Sequence, residues 1–283
     1  MENQELLGRL LLTKPTTEGG YVSAVEGKEE IDREQALAAG QTEEAKALYD
    51  QVQEKSNAIT DMNAFYDFKI KFGGSMIENA GLTSSDMRLE MNVKMNHLTE
   101  PALMRYMAYC RMTDPDGSQM TYSMYYLDGY MYMDMLGQKI KMPMAMGDMM
   151  QQSMASANAF DVPTDIVKDM NLWDEGENKV IGFTIDDSRM NEFLQTVLGS
   201  TGLTGMMEGT SMSLHNIKGE YVVNPNNDLI KMRLKMDMSM TMDGETITMS
   251  MDGDVGIADP GQPVDVPVPN IAEYTDITAA ANQ

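Results

Sequence analysis

The stretch Leu229–Asp254, LIKMRLKMDMSMTMDGETITMSMDGD, alternates apolar and polar residues along most of its length. Even-numbered positions from Ile230 to Met242 are apolar, and the odd-numbered positions between them are polar or charged. A period of two residues is typical of a β-strand that buries one face and leaves the other in water. Asp243-Gly244 then reverses the parity, and this dipeptide is the strongest short-range signal for a two-residue type I′ hairpin. The stretch therefore predicts a long antiparallel hairpin.

The two-residue loop of this hairpin also determines which residues face each other. On the apolar face the expected pairs are Met240 with Ile247, Met238 with Met249, Met236 with Met251, and Met232 with Val255. On the polar face Lys235 should meet Asp252, and Arg233 should meet Asp254. Turn chemistry, parity and the pairing of opposite charges thus agree on one register.

A second hairpin of the same kind is predicted at Asp128-Gly129. Its two-residue loop should place Met124 opposite Met133, Tyr122 opposite Met135, and Tyr125 opposite Tyr132. The two hairpins together predict a sheet whose apolar face is lined largely by methionine.

Length and composition limit the classes of protein to which this chain can belong. Its 283 residues suffice for one large domain or two small ones, and 42% of them are hydrophobic. Methionine, with 32 residues, must do much of the packing that leucine and valine usually do. The formal charge of −23 argues against a nucleic acid or an anionic lipid surface as an electrostatic partner, because both need a basic face. No apolar run is long enough to predict a membrane-spanning helix.

The ends of the chain and its cysteine content bear on location and domain organisation. Cys110, the only cysteine, lies within a predicted strand, so it excludes an internal disulfide and is expected to be a small buried side chain. The start at Met1 lacks the basic and apolar regions of a signal peptide, so either the protein is cytosolic or its leader is absent from this chain. We expect a poorly ordered or loosely attached N-terminal arm or linker over residues 1–41, one domain over 42–275, and a short tail over 276–283.

Three predicted helices separate groups of predicted strands. The helices cover about 42–56, 146–159 and 187–198, and they are followed by five, two and three strands respectively. We further expect a bulge near Asn216, a mobile loop at 201–209 and an extended edge segment at 264–269. Strands joined by tight turns form a meander, and helices between its groups must cover the apolar face of the sheet. The sequence therefore predicts an α+β fold with a curved antiparallel β-sheet.

Three segments of this chain resemble the LolA/LppX superfamily of lipoprotein carriers. They are Ala47–Phe72, the run Tyr125–Met133 continued by Gly137–Met142, and the methionine hairpin that ends in Val266-Pro267-Val268-Pro269. The resemblance spans about residues 42–275 and extends to uncharacterised Met-rich secreted lipoproteins of Gram-positive bacteria. It implies an unclosed half-barrel with helices covering the concave apolar face, and a cavity for an acyl chain or another apolar ligand. It also implies an N-terminal lipidated cysteine, so we expect the full-length protein to be extracellular or lipid-anchored at the cell surface.

Alternating methionines on a strand also suit Cu(I), because thioethers are soft ligands. However, the same face carries Ile230, Leu234 and Ile247, and no cysteine or histidine joins the hairpin. His97 and His215 are isolated in the sequence, and the acidic turns lack the spacing of a calcium loop. We therefore favour a core or cavity lining, and we expect no metal site and no cofactor.

No glycine-rich phosphate loop and no Ser/His/Asp spacing stands out, so we expect no enzyme. The favoured function is a non-catalytic extracytoplasmic protein that binds a lipid or acyl chain between sheet and helices. The alternatives are a structural or interaction lipoprotein with a packed, ligand-free core, and a Met-rich Cu(I)-binding protein. We expect a monomer that binds no nucleic acid and meets the membrane only through an N-terminal lipid anchor absent from this chain. The predicted cavity lining comprises Met91, Val93, Met124, Met133, Met232, Leu234, Met236, Met238, Met240, Ile247, Met249 and Met251.

Overall fold

The computed structural model describes residues 13–15, 21–23, 40–79, 85–100, 102–144, 164–192, 210–242 and 244–277. The predicted helix at 146–159 and the predicted loop at 201–209 lie outside these residues. None of the helices in the described ranges is long and apolar enough to cross a membrane.

Strands dominate the described part of the chain. They are β1 Thr13–Pro15, β2 Tyr21–Ser23, β3 Met62–Gly73, β4 Ser85–Asn96, β5 Arg105–Thr113, β6 Gln119–Leu127, β7 Tyr130–Met135, β8 Gln138–Pro143, β9 Val167–Glu175, β10 Asn178–Ile185, β11 Thr210–Val223, β12 Leu229–Met242, β13 Glu245–Ala258 and β14 Thr275–Asp276. The helical segments are α1 Glu43–Asn57, α2 Ser75–Asn79, α3 at 187–192 and a short 3₁₀ turn at Ile271–Glu273.

Twelve of these strands form one sheet in the order β14-β8-β7-β6-β5-β4-β3-β13-β12-β11-β10-β9. Every neighbouring pair is antiparallel except β14 with β8, and the sheet does not close on itself. β1 and β2 form a separate two-stranded sheet. The predicted fold class is therefore confirmed as an α+β fold built on an unclosed, curved antiparallel sheet.

Both predicted hairpins have the expected register. β12 and β13 pair Met240 with Ile247, Met238 with Met249, Met236 with Met251, and Met232 with Val255. β6 and β7 pair Met124 with Met133, Tyr122 with Met135, and Tyr125 with Tyr132. Asp128 and Gly129 have φ angles of 51° and 79°, as a type I′ turn requires. The expected bulge is also confirmed, because the β11–β12 register shifts between His215 and Lys218 and Asn216 has a φ of 54°.

Helix α1 covers one end of the apolar face. Thr42 caps its first turn by accepting a hydrogen bond from the Ala45 amide at 3.3 Å. Residues at helical spacing, Ala45, Leu48, Tyr49 and Val52, are buried against β9, β10 and β11. The Tyr49 ring stacks on Tyr221 with a centroid distance of 5.5 Å, and this contact joins the helix to β11 of the sheet.

Two glycines let aromatic rings lie flat across the apolar face. A Cβ atom at Gly219 would be 2.2 Å from Cζ of Phe183, and one at Gly253 would be 2.0 Å from Cδ1 of Phe68. Carbon atoms in contact normally lie about 3.5–4.0 Å apart. Only glycine therefore fits beneath these two rings.

Four features of the fold were missed by the sequence interpretation, and the first is the sheet of β1 and β2 within residues 1–41. The group of strands after α1 contains β8, which follows β7 through a Leu136-Gly137 turn, so this group has six strands rather than five. The short helix α2 was not predicted. The expected edge segment 264–269 contributes no strand and is tied at Val264 by the side chains of Asp61 and Asn96. The edge is formed instead by β14, which pairs with β8.

Candidate functional site

The register of the sheet places all twelve predicted cavity-lining residues on one face. From β12 through β13, β3, β4, β5, β6 and β7 to β8 the pairing runs without a shift, so directly opposed residues share a face. One such row joins Met251, Ile70 and Met87, and another joins Val93, Ala108, Met124 and Met133. This face, which also receives α1, is called the apolar face below.

Charge is absent from the central part of the apolar face. Among the described strands, no Asp, Glu, Lys or Arg shares this face along Met232–Met240, Ile247–Ile257, Met62–Phe72, Met87–Met95, Tyr106–Met112, Met120–Tyr126, Met131–Met135 or Gln138–Met142. In a chain of net charge −23, this area is therefore set apart from the rest of the surface.

The predicted lining residues differ in how they are covered. Val93 is buried, whereas the other eleven are half-buried. Met232, Leu234 and Met236 pack against the core that contains α1. Met91, Val93 and Met124 belong to a second cluster around Ala108 and Cys110, and Met124 and Met133 also belong to a third cluster around Tyr126 and Met131. The sheet thus brings the twelve residues onto one surface, while their role as a cavity lining stays a prediction.

Three tyrosines and the single cysteine form a polar island on this surface. Tyr66, Tyr106 and Tyr122 pack around Cys110, which is fully buried, as expected. Burial raises the pKa of Tyr122 to about 12, assisted by the hydrogen bond between its hydroxyl and Cys110. Burial likewise raises the pKa of Cys110, against an opposing effect of the Tyr122 hydrogen bond. These groups are therefore protonated at neutral pH, and the hydroxyls are hydrogen-bond donors as well as acceptors.

The opposite face, called the polar face, carries a row of charges across six strands. Successive cross-strand partners in this row are Glu220, Arg233, Asp254, Asp67, Glu90 and Arg111. Five of the six are buried, including Glu220 and Glu90 at 3% exposure. Buried charges require partners, because removing an ion from water costs several kcal/mol, of order 5. The row is therefore a built network rather than a solvated surface.

Arg233 is the centre of this network. Its guanidinium donates to Glu220 at 2.6 Å and to both carboxylate oxygens of Glu175 at 2.7 and 2.9 Å. Burial alone would lower the pKa of Arg233, but the hydrogen bonds to Glu175 and Glu220 raise it above its ordinary value. The predicted pairing of Arg233 with Asp254 is correct in register and wrong as an ion pair, because Lys231 binds Asp254 at 3.0 Å instead. The planar guanidinium of Arg233 instead binds Glu175 and Glu220, because its N–H donors match the geometry of carboxylate oxygens.

At the other end of the row, Glu90 is a buried acid whose two arginine partners only partly offset its burial. Arg88 binds Asp67 at 2.8 and 3.0 Å and lies 3.2 Å from Glu90. Arg111 is 3.7 Å from the other Glu90 oxygen. Burial nevertheless raises the pKa of Glu90, and the two arginines only partly oppose this effect.

Among the cavities in the described part of the chain are three in which residues with polar side chains outnumber apolar ones. One of about 520 Å³ lies beside the start of α3 and includes Lys168, Asp169 and Lys218. One of about 390 Å³ is bordered by charged residues of the polar face together with Ile70, Met87 and Met251 of the apolar face. One of about 290 Å³ lies beside Pro263 and Val264. Met251 is the one predicted lining residue that borders any of these three.

A serine, a histidine and an aspartate also meet beside the bulge in β11, which their sequence spacing did not indicate. Ser213 Oγ is 2.9 Å from Nε2 of His215, and His215 Nδ1 is 3.8 Å from Asp187. The last distance exceeds that of a hydrogen bond, and His215 and Asp187 are 44% and 43% exposed. A positioned nucleophile and base need a hydrogen-bonded third group. Within the described ranges, no group of three His, Cys, Asp or Glu side chains could hold a metal ion.

No curated protein matches the chain. Similar solved structures include the Mycobacterium tuberculosis lipoprotein LppX, with 12% identity over 78% of this chain and 99% of that chain and a TM-score of 0.35. They also include a DUF1329 family protein from Desulfovibrio piger, with 9% identity over 80% of this chain and 96% of that chain and a TM-score of 0.24.

A third similar structure is a β-barrel-like protein of the DUF1849 domain from Brucella abortus. It has 10% identity over 71% of this chain and 100% of that chain, with a TM-score of 0.21. With a TM-score of 0.35, the similarity to LppX leaves the expected resemblance to the LolA/LppX superfamily a prediction, as it leaves that to Met-rich secreted lipoproteins of Gram-positive bacteria. The sequence model of a family of unknown function, DUF6612, matches residues 44–272, and the chain belongs to that family.

Proposed function

We propose that this protein is a non-catalytic extracytoplasmic binding protein that holds a lipid or acyl chain against its apolar face. The full-length protein would be a monomer, anchored to the membrane by an N-terminal lipid. The ligand would lie along the central strands, beyond the part of the face that α1 covers.

The observation that carries the proposal is the uncharged apolar face. It extends over eight strands, and its predicted lining residues are half-buried apart from Val93. Monomeric proteins rarely leave a large apolar surface without a partner, and such surfaces mark binding sites. Methionine suits a variable occupant, because its unbranched side chain repacks at small cost.

The test uses bulk without charge on this face. Met238→Trp should block the ligand, whereas Ser239→Trp, one residue along β12, places the same ring on the polar face and serves as the matched control. Binding is measured as the saturable uptake of a pyrene-labelled acyl chain, offered both as the free acid and as the methyl ester. Melting temperature is recorded for each variant.

Loss of uptake in Met238→Trp alone, with its melting temperature unchanged, is the expected result. If the wild type takes up neither form and Met238→Trp melts far below it, the face is packed shut. Overpacking of a core costs about 1–3 kcal/mol, so such a drop would be measurable. That outcome would favour the alternative of a structural or interaction lipoprotein. Native mass spectrometry with lipid extraction, on protein purified from its own host, would identify the natural ligand.

The absence of catalysis is part of the proposal. The Ser213–His215 pair is the strongest candidate for a nucleophile in the described part of the chain, yet Asp187 lies too far from the imidazole to hold it by a hydrogen bond. A fluorophosphonate probe should therefore leave the protein unlabelled by intact mass. Stoichiometric labelling that is lost in Ser213→Ala, and kept in Ser250→Ala on the same face, would contradict a purely binding role.

A further inference from the structure

Small side chains at neighbouring positions of three strands form the floor of the cluster around Cys110 on the apolar face. Ala64, Val93, Ala108 and Cys110 are buried at directly paired or adjacent register positions on β3, β4 and β5. Larger Met and Tyr side chains of neighbouring rows, among them Tyr66 and Tyr106, pack around this floor. Ala64, Ala108 and Cys110 are fully buried, so the larger groups around them cover these small side chains.

Two of the three tyrosine hydroxyls around this floor make no hydrogen bond within the described part of the chain. Tyr122 hydrogen-bonds Cys110, whose thiol is a weak partner. Tyr66 and Tyr106 have no hydrogen bond to any described residue, and both are half-buried. Tyr66, Tyr106 and Tyr122 all belong to the cluster that contains Cys110, so the four polar residues lie in one part of the apolar face. A phenol in an apolar setting normally finds a hydrogen-bond partner, so these hydroxyls are available to a ligand.

We propose that Tyr66, Tyr106 and Tyr122 form the polar anchor of the ligand site, and that they bind the carbonyl or hydroxyl group of an uncharged acyl ester. The inference rests on the proposed function and adds the chemical class of the ligand. An apolar site with a few convergent polar groups is the usual form of a small-molecule pocket, in which the polar groups determine orientation and specificity.

The choice of an uncharged ligand follows from the charge distribution. A carboxylate or phosphate buried in this site would need a cation, and no Lys or Arg shares the central apolar face among the described strands. Burying an unpaired charge is far more costly than burying an ester carbonyl, which needs only a donor. Protonated tyrosines supply donors and no charge. The site therefore discriminates against free fatty acids at neutral pH.

The experiment compares three pyrene-labelled chains of equal length on the full chain: the methyl ester, the free acid and the plain hydrocarbon. Wild-type protein should bind the ester most tightly. Tyr106→Phe should weaken ester binding about fivefold, the equivalent of a neutral hydrogen bond of about 1 kcal/mol, and should leave hydrocarbon binding unchanged. Tyr66→Phe should act in the same direction. Tyr109→Phe is the matched control, because it lies on β5 beside Cys110 but on the polar face.

The outcomes separate this inference from the proposed function. If the hydrocarbon and the ester bind equally, or if Tyr106→Phe and Tyr109→Phe act alike, the tyrosine anchor is wrong while apolar binding stands. Tighter binding of the free acid than of the ester would also overturn the inference. If none of the three chains binds, the proposed function itself fails. Melting temperatures confirm that each Tyr→Phe variant is folded, and the lost hydroxyl leaves the ring in place.

Discussion

Gly253→Ala is expected to destabilise the protein strongly, although it adds only one methyl group. A Cβ atom at this position would lie 2.0 Å from Cδ1 and 2.8 Å from Cε1 of Phe68, and 2.5 Å from the backbone oxygen of Asp67. The phenyl ring could swing aside, but the Asp67 oxygen belongs to β3, which is paired along its length with β13 and β4. The methyl group must therefore displace a strand in the middle of the sheet.

The magnitude follows from the size of these overlaps. Extra methyl groups in a packed region cost about 1–3 kcal/mol, and a clash with backbone belongs at the upper end of that range. We expect a loss of about 3 kcal/mol in the free energy of unfolding. For a domain of about 150–250 residues each kcal/mol lowers the melting temperature by about 2–4 °C, so the shift should be about 6–12 °C.

Gly256→Ala on the same strand is the control. Its Cβ would meet nothing within 4 Å, and it lies on the polar face. Alanine at a compatible position restricts the unfolded chain and stabilises by about 0.4–1 kcal/mol. Urea unfolding followed by circular dichroism measures both variants. Equal midpoints for Gly253→Ala and Gly256→Ala would refute the close approach of Phe68 to the strand.

Three other predictions concern the charge network and the metal alternative. Arg233→Met should cost about 3–5 kcal/mol in urea unfolding, because it leaves buried carboxylates without a cation; adding Glu220→Gln should restore part of that loss, and full additivity would contradict the network. Since burial raises the pKa of Glu90, the folded protein holds that proton more tightly than the unfolded chain. The wild type should thus lose stability relative to Glu90→Gln as the pH rises through the raised pKa, and a pH-independent difference would be inconsistent with that shift. Anaerobic titration against a strong competitor should show only weak Cu(I) uptake, and stoichiometric tight binding that is lost on replacing the β12 methionines by leucine would reverse this ranking.

The sequence predicted the local pairing of strands well, because the rule involved is local. Asp128-Gly129 and Asp243-Gly244 offer a residue tolerant of positive φ next to glycine, and alternation on each side then leaves one register. The turn between β7 and β8 was missed because Leu136 occupies the position where Asn or Asp is usual. Leu136 has a φ of 52° and is 75% exposed. Hairpin pairing imposes this conformation on a residue that does not favour it.

Long-range pairing was beyond the sequence pattern. Parity showed that Arg233 and Asp254 share the polar face, but Glu220, Asp67 and Glu90 join their row only because β13 pairs with β3 and β11 with β12. The tyrosine island has the same origin, since Tyr66 meets Cys110 through Met91 on an intervening strand. Alternation assigns a residue to a face, whereas its neighbours within that face depend on strand order.

Short pieces of the same chain pair with strands β9 and β8 near the two edges of the twelve-stranded sheet. At β9, Gly40 and Thr42 exchange backbone hydrogen bonds of 3.0 Å with Met170. At β8, the two-residue strand β14 adds in parallel, held by the Tyr274 ring against Tyr132 and by an ion pair between Lys139 and Glu273.

An open border of a sheet is a template for further strands, from another copy or from a misfolded neighbour. These short pieces occupy some of the backbone groups of β9 and β8, and they are themselves too short to pair with a further long strand. An unclosed sheet can in this way limit edge-to-edge pairing with another copy without closing into a barrel. On the proposed function, a ligand would then reach the apolar face from the side of the sheet rather than through the mouth of a closed barrel.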